Sequence, residues 1–216
     1  PVEGGPPRMA SLSVAVNADS LATWVLPALV PLAEQFRLDL HREDQDHTSA
    51  LLRDGVVMAA VTSQAQPLPG CSSTLLGAMR YRPMASPRFL ARWFPRGVGA
   101  AALHRAPVVV FDRKDDLQHA YLRRRTHGRA DPPSHHVPSS ADFCTAIRLG
   151  VGWGMLPDLQ SREPETAGEL MDIDPGHGVD VVLYWQQWRL QSTTLDRLAA
   201  AVAQAATVHL IQPPSG

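Results

Sequence analysis

The sequence predicts an α/β fold made of two small lobes that are joined by two crossing strands. Strand-like and helix-like segments alternate along the chain, which is the pattern of parallel strands connected by helices. The alternation begins at Leu12 and again at Pro107, so the second series is interpreted as an insertion into the first. We expect the crossing strands near Ala78–Pro83 and Val181–Trp185. The chain of 216 residues, 44% of them hydrophobic, is long enough for two such cores.

The first lobe opens with a strand that leads directly into a helix. Residues 12–16 (LSVAV) alternate apolar with small or polar side chains, and this period of two is typical of a strand. Asp19 and Ser20 follow, and both are preferred residues at the N-terminus of a helix. Residues 28–36 then have helical spacing, and the prolines in this region are expected to limit or kink the helix.

The remaining elements follow from the same two periodicities. Further strands are predicted at 38–43, 56–61, 73–82, 107–111, 135–138, 152–156, 168–173 and 179–186. Further helices are predicted at 49–53, 87–94, 100–105, 115–125, 141–149 and 192–208. The last strand and the last helix complete the first lobe. The predicted organisation is therefore a linker at 1–10, a first lobe at 11–82 plus 180–210, and a second lobe at 83–179.

Charge and cysteine content exclude several classes of protein. The formal net charge is −1, so the basic excess of a nucleic-acid-binding domain is missing and this chain alone should bind DNA poorly. The one dense basic run, Arg123–Arg125, is interpreted as the solvated end of a helix. Two distant cysteines indicate a reducing compartment, and no apolar run approaches the roughly 20 residues of a membrane span. The opening run PVEGGPPRMAS does not resemble a signal peptide, so we expect a cytoplasmic location. This run is rich in Pro and Gly and lacks an initiating Met at position 1, so we expect a fragment of a longer protein.

Motifs for metal, nucleotide and acyl-transfer chemistry are weak. His135 and His136 are adjacent, so a strand would direct the two rings to opposite faces. The glycines of 150–154 precede and enter a predicted strand, whereas a dinucleotide-binding loop follows one. A hydrolase built on Ser139 or Ser140 would need a nucleophile elbow, and no G-x-S-x-G motif is present. We therefore predict no catalytic residues, no metal and no cofactor.

Several long runs, in the same order, resemble one family of bacterial regulators. They are VNADSLATWVLPAL, LPGCSSTLLGAMRYRPMASPRFLARWFP, APVVVFDRKDDLQHAYL, the run SS-x-D-F-x-x-A-I-R-L-G at 139–150, and LYW at 183–185. From about Leu12 to Val208 the chain resembles the effector domain of LysR-type transcriptional regulators, in particular the lysine/arginine-responsive branch called LysG or ArgP. The resemblance implies a two-lobed fold like that of type 2 periplasmic binding proteins. The full regulator would add an N-terminal winged helix-turn-helix, which this chain does not include.

The resemblance also implies a function. The domain would bind a basic amino acid (lysine, arginine or histidine) in a cleft between the lobes and control transcription, with an amino-acid exporter as the expected target. It would act in a homodimer or tetramer and reach promoter DNA only through the N-terminal domain. The alternative is a free-standing solute-binding protein that delivers an amino acid to a transporter. The lack of a signal peptide and the two free cysteines favour the regulator.

A basic amino acid needs donors for its carboxylate and acceptors for its two cationic groups, because an unpaired buried charge is costly. Predicted helix N-termini supply donors, and acidic residues that follow strands supply counter-charges. An aromatic ring could cover the aliphatic stem or contact a cation. The candidate ligand-binding residues are Asn17, Asp19, Ser20, Asp46, Asp112, Ser139, Ser140 and Trp185. For the polar residues the alternative role is a helix cap, and for Trp185 it is hinge or core packing.

Overall fold

The computed structural model describes residues 9–42, 50–128 and 130–213. The chain divides into two compact units: unit 1 is Pro1–Ala78 with Val182–Gly216, and unit 2 is Met79–Val181. The boundaries between the lobes predicted from the sequence are at residues 82/83 and 179/180, whereas those between the two units are at 78/79 and 181/182. The candidate residue Asp46 lies outside the described residues, as does most of the predicted linker.

Nine strands and seven helices are labelled here in chain order. The strands are β1 (Ser11–Val16), β2 (Arg37–Arg42), β3 (Ala59–Thr62), β4 (Cys71–Ala85), β5 (Val108–Val110), β6 (Ser134–His136), β7 (Gly154–Pro157), β8 (Met171–Asp172) and β9 (Val179–Trp188). Helix α1 consists of three consecutive segments, Ala18–Ser20, Leu21–Val25 and Leu26–Ala33. The other helices are α2 (Pro87–Trp93), α3 (Ala100–Leu103), α4 (Leu117–Thr126), α5 (Ser140–Arg148), α6 (Asp158–Thr166) and α7 (Thr193–His209). Residues 50–53 form a further short helical stretch.

Unit 1 is a sheet with the strand order β2-β1-β3-β9 and helices packed on it. Strand β1 runs parallel to β2 and to β3, as predicted, whereas β9 runs antiparallel to β3. Helix α1 packs against α7, so the last helix does complete the helical layer of this unit. The buried core includes Leu12, Val14, Val16, Val25, Leu29, Leu195, Leu198 and Val202.

Helix α1 begins at Ala18, two residues earlier than it would with Asp19 as its cap, and Asn17 is the cap. The Asn17 side chain accepts a hydrogen bond from the Ser20 N–H at 3.2 Å. The alternative role of Asp19 and Ser20, to cap this helix, is not the one observed, because both lie within its first turn. The segment Leu21–Val25 is a π-helical turn. Pro27 accounts for this wide turn, since it has no N–H to donate and its ring crowds the preceding turn.

Unit 2 contains two groups of paired strands. Strands β7 and β8 both run antiparallel to β4, and β5 runs parallel to β6. Trp153, just before β7, forms a parallel bridge to Val108. The core of the unit is an apolar cluster of Met84, Val109, Phe143, Cys144, Ile147, Leu156 and Leu170.

Helix α6 is a correction to the sequence analysis, which predicted no element over 158–166. Its sequence, DLQSREPET, is polar and contains Pro164 within the helix. The helix is stabilised by contacts with a residue distant in sequence. Arg82 donates hydrogen bonds to Asp158 at 2.6 Å and to Glu165 at 2.7 Å. Within the described part of the chain, no helix combines the length and the apolar character that crossing a bilayer requires.

Candidate functional site

The sequence-predicted site residues are distributed over both units, and each group is described within its own unit. In unit 1, Asn17, Asp19 and Ser20 lie where β1 ends. Val16, the last residue of β1, is opposite Val61 of the parallel strand β3. The residues that follow β1 and those that follow β3 therefore emerge at the same edge of the sheet, which is where ligands bind in open α/β sheets.

Two buried donors in α1 have no hydrogen-bond partner among the described residues. Ser20 is fully buried and Trp24 is 1% exposed. Neither the Ser20 Oγ nor the Trp24 Nε1 is hydrogen-bonded to a described residue. The two residues are about one helical turn apart: Ser20 directly precedes the π-helical segment and Trp24 lies within it. Because a buried polar group without a partner is costly, such a pair calls for a ligand or a water molecule.

The other predicted residues at this end of β1 are already engaged. The Asn17 side chain caps α1, and the Asp19 carbonyl accepts a hydrogen bond from the Thr23 hydroxyl at 2.6 Å. Both Asn17 and Asp19 are partly exposed. The cap role that the sequence left open is thus filled by Asn17, and contact of either side chain with a ligand stays a prediction.

The segment that follows β3 also contributes polar groups, and the sequence analysis did not select them. The Thr62 hydroxyl accepts a hydrogen bond from the Gln64 N–H at 3.2 Å. The buried Gln186 amide donates to the Gln64 carbonyl at 2.7 Å and to the Gln66 carbonyl at 3.0 Å. The signal was present as a polar run, Thr62–Gln64, directly after an apolar strand.

Trp185 lies in the core of unit 1. It is on β9, opposite Val61, and is 4% exposed. Its indole Nε1 donates to the Gln187 Oε1 at 2.6 Å. These contacts are those of a core residue, which is the alternative that the sequence left open, and a role in ligand contact stays a prediction.

In unit 2 the structure brings Asp112 and the Ser139–Ser140 pair to the same sheet edge. Val110 of β5 is opposite His136 of the parallel strand β6, and the Val137 N–H donates to the Val110 carbonyl at 2.9 Å. The chain continues from these two strands to Asp112 and to Ser139. Asp112 and Ser139 therefore follow two neighbouring parallel strands at one edge of this sheet.

The side chains of Asp112 and Ser139 both accept hydrogen bonds from backbone N–H groups. One Asp112 carboxylate oxygen, Oδ1, accepts from the Lys114 N–H at 2.8 Å and from the Asp115 N–H at 3.0 Å. The Ser139 hydroxyl accepts from the Asp142 N–H at 3.5 Å and caps α5, as predicted. The Asp112 side chain is only partly buried, and its contact with a ligand stays a prediction.

Gln160 is a neighbour of this group that the sequence analysis missed. Its side-chain Nε2 donates to the Ser140 carbonyl at 2.9 Å and lies 3.3 Å from the Ser140 hydroxyl. Its Oε1 is buried and has no hydrogen-bond partner among the described residues. No signal in the sequence pointed to it, because helix α6 was not predicted.

Two of the shifted pKa values in unit 2 belong to carboxyl groups around Arg82. Hydrogen bonding from Arg82 lowers the pKa of Glu165. Burial raises the pKa of the Asp172 carboxyl, although Arg82 Nη1 lies 3.7 Å from its Oδ2. These contacts fasten α6 and β8 to β4. Among the described residues, no group of three or more histidine, cysteine, aspartate or glutamate side chains is arranged to hold a metal ion.

Comparison with known proteins connects this geometry to one family. Residues 7–207 match the family model described as the LysR substrate binding domain. The chain is 41% identical over 196 residues to the transcriptional regulator LysG of Mycobacterium bovis, which covers 91% of the chain and 64% of LysG. It is 45% identical over 190 residues to the regulator ArgP of Pseudomonas aeruginosa, covering 87% of the chain and 62% of ArgP. The chain thus spans less than two thirds of these relatives.

Solved structures agree with this assignment. The C-terminal domains of a LysR family protein from Agrobacterium tumefaciens align with a TM-score of 0.90 at 40% identity, covering 94% of this chain and all of that one. Full-length LysG from Corynebacterium glutamicum, solved with bound effector Arg, aligns with a TM-score of 0.85 at 39% identity, covering 94% of this chain and 70% of that one. The predicted resemblance and the type 2 periplasmic-binding-protein-like fold are confirmed. The chain belongs to the LysR substrate-binding domain family.

Proposed function

We propose that this chain is the effector-sensing domain of a LysR-type transcriptional regulator and that its effector is a basic amino acid. One observation carries the proposal: LysG of Corynebacterium glutamicum, 39% identical with a TM-score of 0.85, was solved with bound effector Arg. The other relatives compared above are transcriptional regulators, so the alternative of a free-standing solute-binding protein is not favoured.

The candidate residues supply the groups that such an effector requires. In unit 1, the buried Ser20 hydroxyl and the Trp24 indole N–H are donors without a described partner. In unit 2, Ser139 and Ser140 begin helix α5, whose N-terminal end is favourable for an anion. Asp112 supplies a negative charge for a cationic group. Asp46 is retained as a second carboxylate on the basis of its sequence position alone.

The wider roles follow from the family. The whole regulator would contact promoter DNA through an N-terminal domain, act in the cytoplasm where the chromosome lies, and control a gene such as an amino-acid exporter. A dimer or tetramer is the expected assembly. Val30 of α1 is 61% exposed and Val208 of α7 is 73% exposed, and each leaves apolar surface available for a second copy.

Isothermal titration calorimetry of the 216-residue chain against each standard amino acid tests the effector. We expect arginine and lysine to bind, and histidine to be the only other candidate. Leucine and methionine are the controls, because they share the α-amino-acid group and a similar chain length but have no side-chain cation. Equal binding of the neutral and basic amino acids, or no binding of any basic one, would contradict the proposal.

A further inference from the structure

The amide of Gln160 has a fixed orientation in unit 2. A backbone carbonyl can only accept hydrogen bonds, so the group that lies 2.9 Å from the Ser140 carbonyl must be the Gln160 NH2. The same NH2 lies 3.3 Å from the Ser140 hydroxyl. The two contacts to Ser140 together determine which way the amide oxygen is directed.

The Gln160 amide oxygen is therefore an unsatisfied hydrogen-bond acceptor. It is buried, and none of the described residues donates to it. A buried carbonyl oxygen without a donor costs free energy, whereas the same oxygen becomes favourable when an N–H or O–H group reaches it. A positively charged donor gives the stronger hydrogen bond.

The position of this acceptor favours contact with the α-ammonium group of an amino acid. Ser140 is the first residue of the nine-residue helix α5, so the Gln160 amide lies beside the end of the helix that is favourable for a carboxylate. The α-ammonium of an amino acid is attached to the carbon next to its carboxylate. When the carboxylate faces α5, the Gln160 amide that contacts Ser140 is close to that ammonium.

We infer that Gln160 is an effector-binding residue whose Oε1 accepts a hydrogen bond from the α-ammonium group of the amino acid. This inference rests on the proposed function. It assigns Gln160 to recognition of the group that all amino acids share. Discrimination in favour of basic side chains is then left to other residues, such as Asp112.

Two substitutions of Gln160 distinguish the role of its amide oxygen as an acceptor from the role of its NH2 group in contacting Ser140. Gln160→Met keeps the length of the side chain but removes both the acceptor and the donor. Gln160→Glu also removes the donor and adds repulsion toward the Ser140 carbonyl, yet it keeps acceptor oxygens. If Gln160 only positions Ser140, the glutamate variant should bind at least as weakly as the methionine variant. If Gln160 accepts from the ammonium, the glutamate variant should bind more tightly.

We expect calorimetry to show that Gln160→Met weakens arginine binding about tenfold, as loss of a hydrogen bond to a charged group would. Gln160→Glu should retain part of that affinity. The factor should be the same for each basic amino acid that the wild-type chain binds, because the α-ammonium is common to them. Gln204→Met, at an exposed position of α7, is the matched control and should change nothing. Thermal unfolding checks that each variant is folded.

Three results would overturn the inference: wild-type affinity in Gln160→Met, an affinity of Gln160→Glu no better than that of Gln160→Met, or factors that differ among basic amino acids. If the wild-type chain binds no basic amino acid, the proposed function fails together with the inference. If the wild type binds and the variants give any of the three results, the inference alone fails.

Discussion

The phenol of Tyr121 donates a 2.6 Å hydrogen bond to the Oδ2 of Asp174, and both residues are buried in unit 2. Asp174 also contacts Arg125 at 2.6 Å and His177 at 3.1 Å. The Tyr121 ring packs edge-on against Trp153, with 5.3 Å between the ring centroids. Burial and the bond to Asp174 raise the pKa of Tyr121, so its proton is retained at neutral pH. This contact links helix α4 to the segment that follows β8.

We therefore expect Tyr121→Phe to lower the free energy of unfolding by about 2 kcal/mol, since it leaves the ring in place but removes a hydrogen bond to a buried carboxylate. Urea denaturation measures the change. Tyr184→Phe is the control, because Tyr184 is only partly buried and lies on β9, away from the Asp174 contact. Equal effects of the two substitutions would show that the Asp174 contact adds no stability.

Two acids near Arg82 should respond to pH in opposite directions. Arg82 lowers the pKa of Glu165 from its ordinary 4.5, so the contribution of Glu165 to stability is present above pH 4.5 and is lost as pH falls through the folded-state pKa. Burial raises the pKa of Asp172 from 3.8, so ionised Asp172 opposes folding once pH rises above its unfolded-state pKa.

Glu165→Gln should thus destabilise the chain at pH 7 and have little effect at pH 3, whereas Asp172→Asn should stabilise it at pH 7 and have less effect at low pH. The Glu165 effect should be less than about 1 kcal/mol, because this side chain is partly solvated. Unfolding free energies measured from pH 3 to pH 7 check both. Parallel curves for wild type and variants would contradict the assignment of these shifts.

The sequence was sufficient where a local pattern determines the structure. The alternation of residues 12–16 predicted β1, and the apolar run at 107–111 contains β5. The Ser139–Ser140 pair directly before a predicted helix indicated a cap, and Ser139 caps α5. The parallel arrangement of β1 and β3 followed from the strand–helix alternation alone.

The sequence was insufficient to predict elements and caps that depend on residues distant in the chain. Three residues that can cap a helix, Asn17, Asp19 and Ser20, occur within one short run, and the end of β1 at Val16 selects the first. Helix α6 has little apolar character and depends on Arg82, which is 76 residues away from Asp158. Gln160 was missed with that helix, although it lies against the predicted residue Ser140.

The charge of Asp112 can be tested separately from its structural role. Because Oδ1 alone accepts the two backbone N–H groups, Asp112→Asn can keep this turn while removing the negative charge. We expect the thermal midpoint to change little and arginine affinity to fall about tenfold, as for loss of a partly desolvated ion pair. Asp131→Asn, at an exposed position of the same unit, is the matched control. Equal losses in both variants would indicate only a general effect of net charge.

The unpartnered hydroxyl of Ser20 gives a prediction in which stability and binding change differently. Ser20 is fully buried and its Oγ has no described partner, so Ser20→Ala should leave the free energy of unfolding unchanged or raise it by up to about 1 kcal/mol. Ser86 is 5% exposed, but its Oγ accepts from the Phe89 N–H at 3.4 Å and caps α2. Ser86→Ala should therefore lower the free energy of unfolding by about 1 kcal/mol.

Arginine binding should show the reverse order for these two serines. If the Ser20 hydroxyl is reserved for the effector, Ser20→Ala should weaken arginine binding about tenfold in calorimetry, because a hydrogen bond formed only in the complex is lost. Ser86→Ala should bind arginine with wild-type affinity. A Ser20→Ala variant that is destabilised but binds normally would mean that the hydroxyl satisfies an internal contact, such as a buried water, and takes no part in effector recognition.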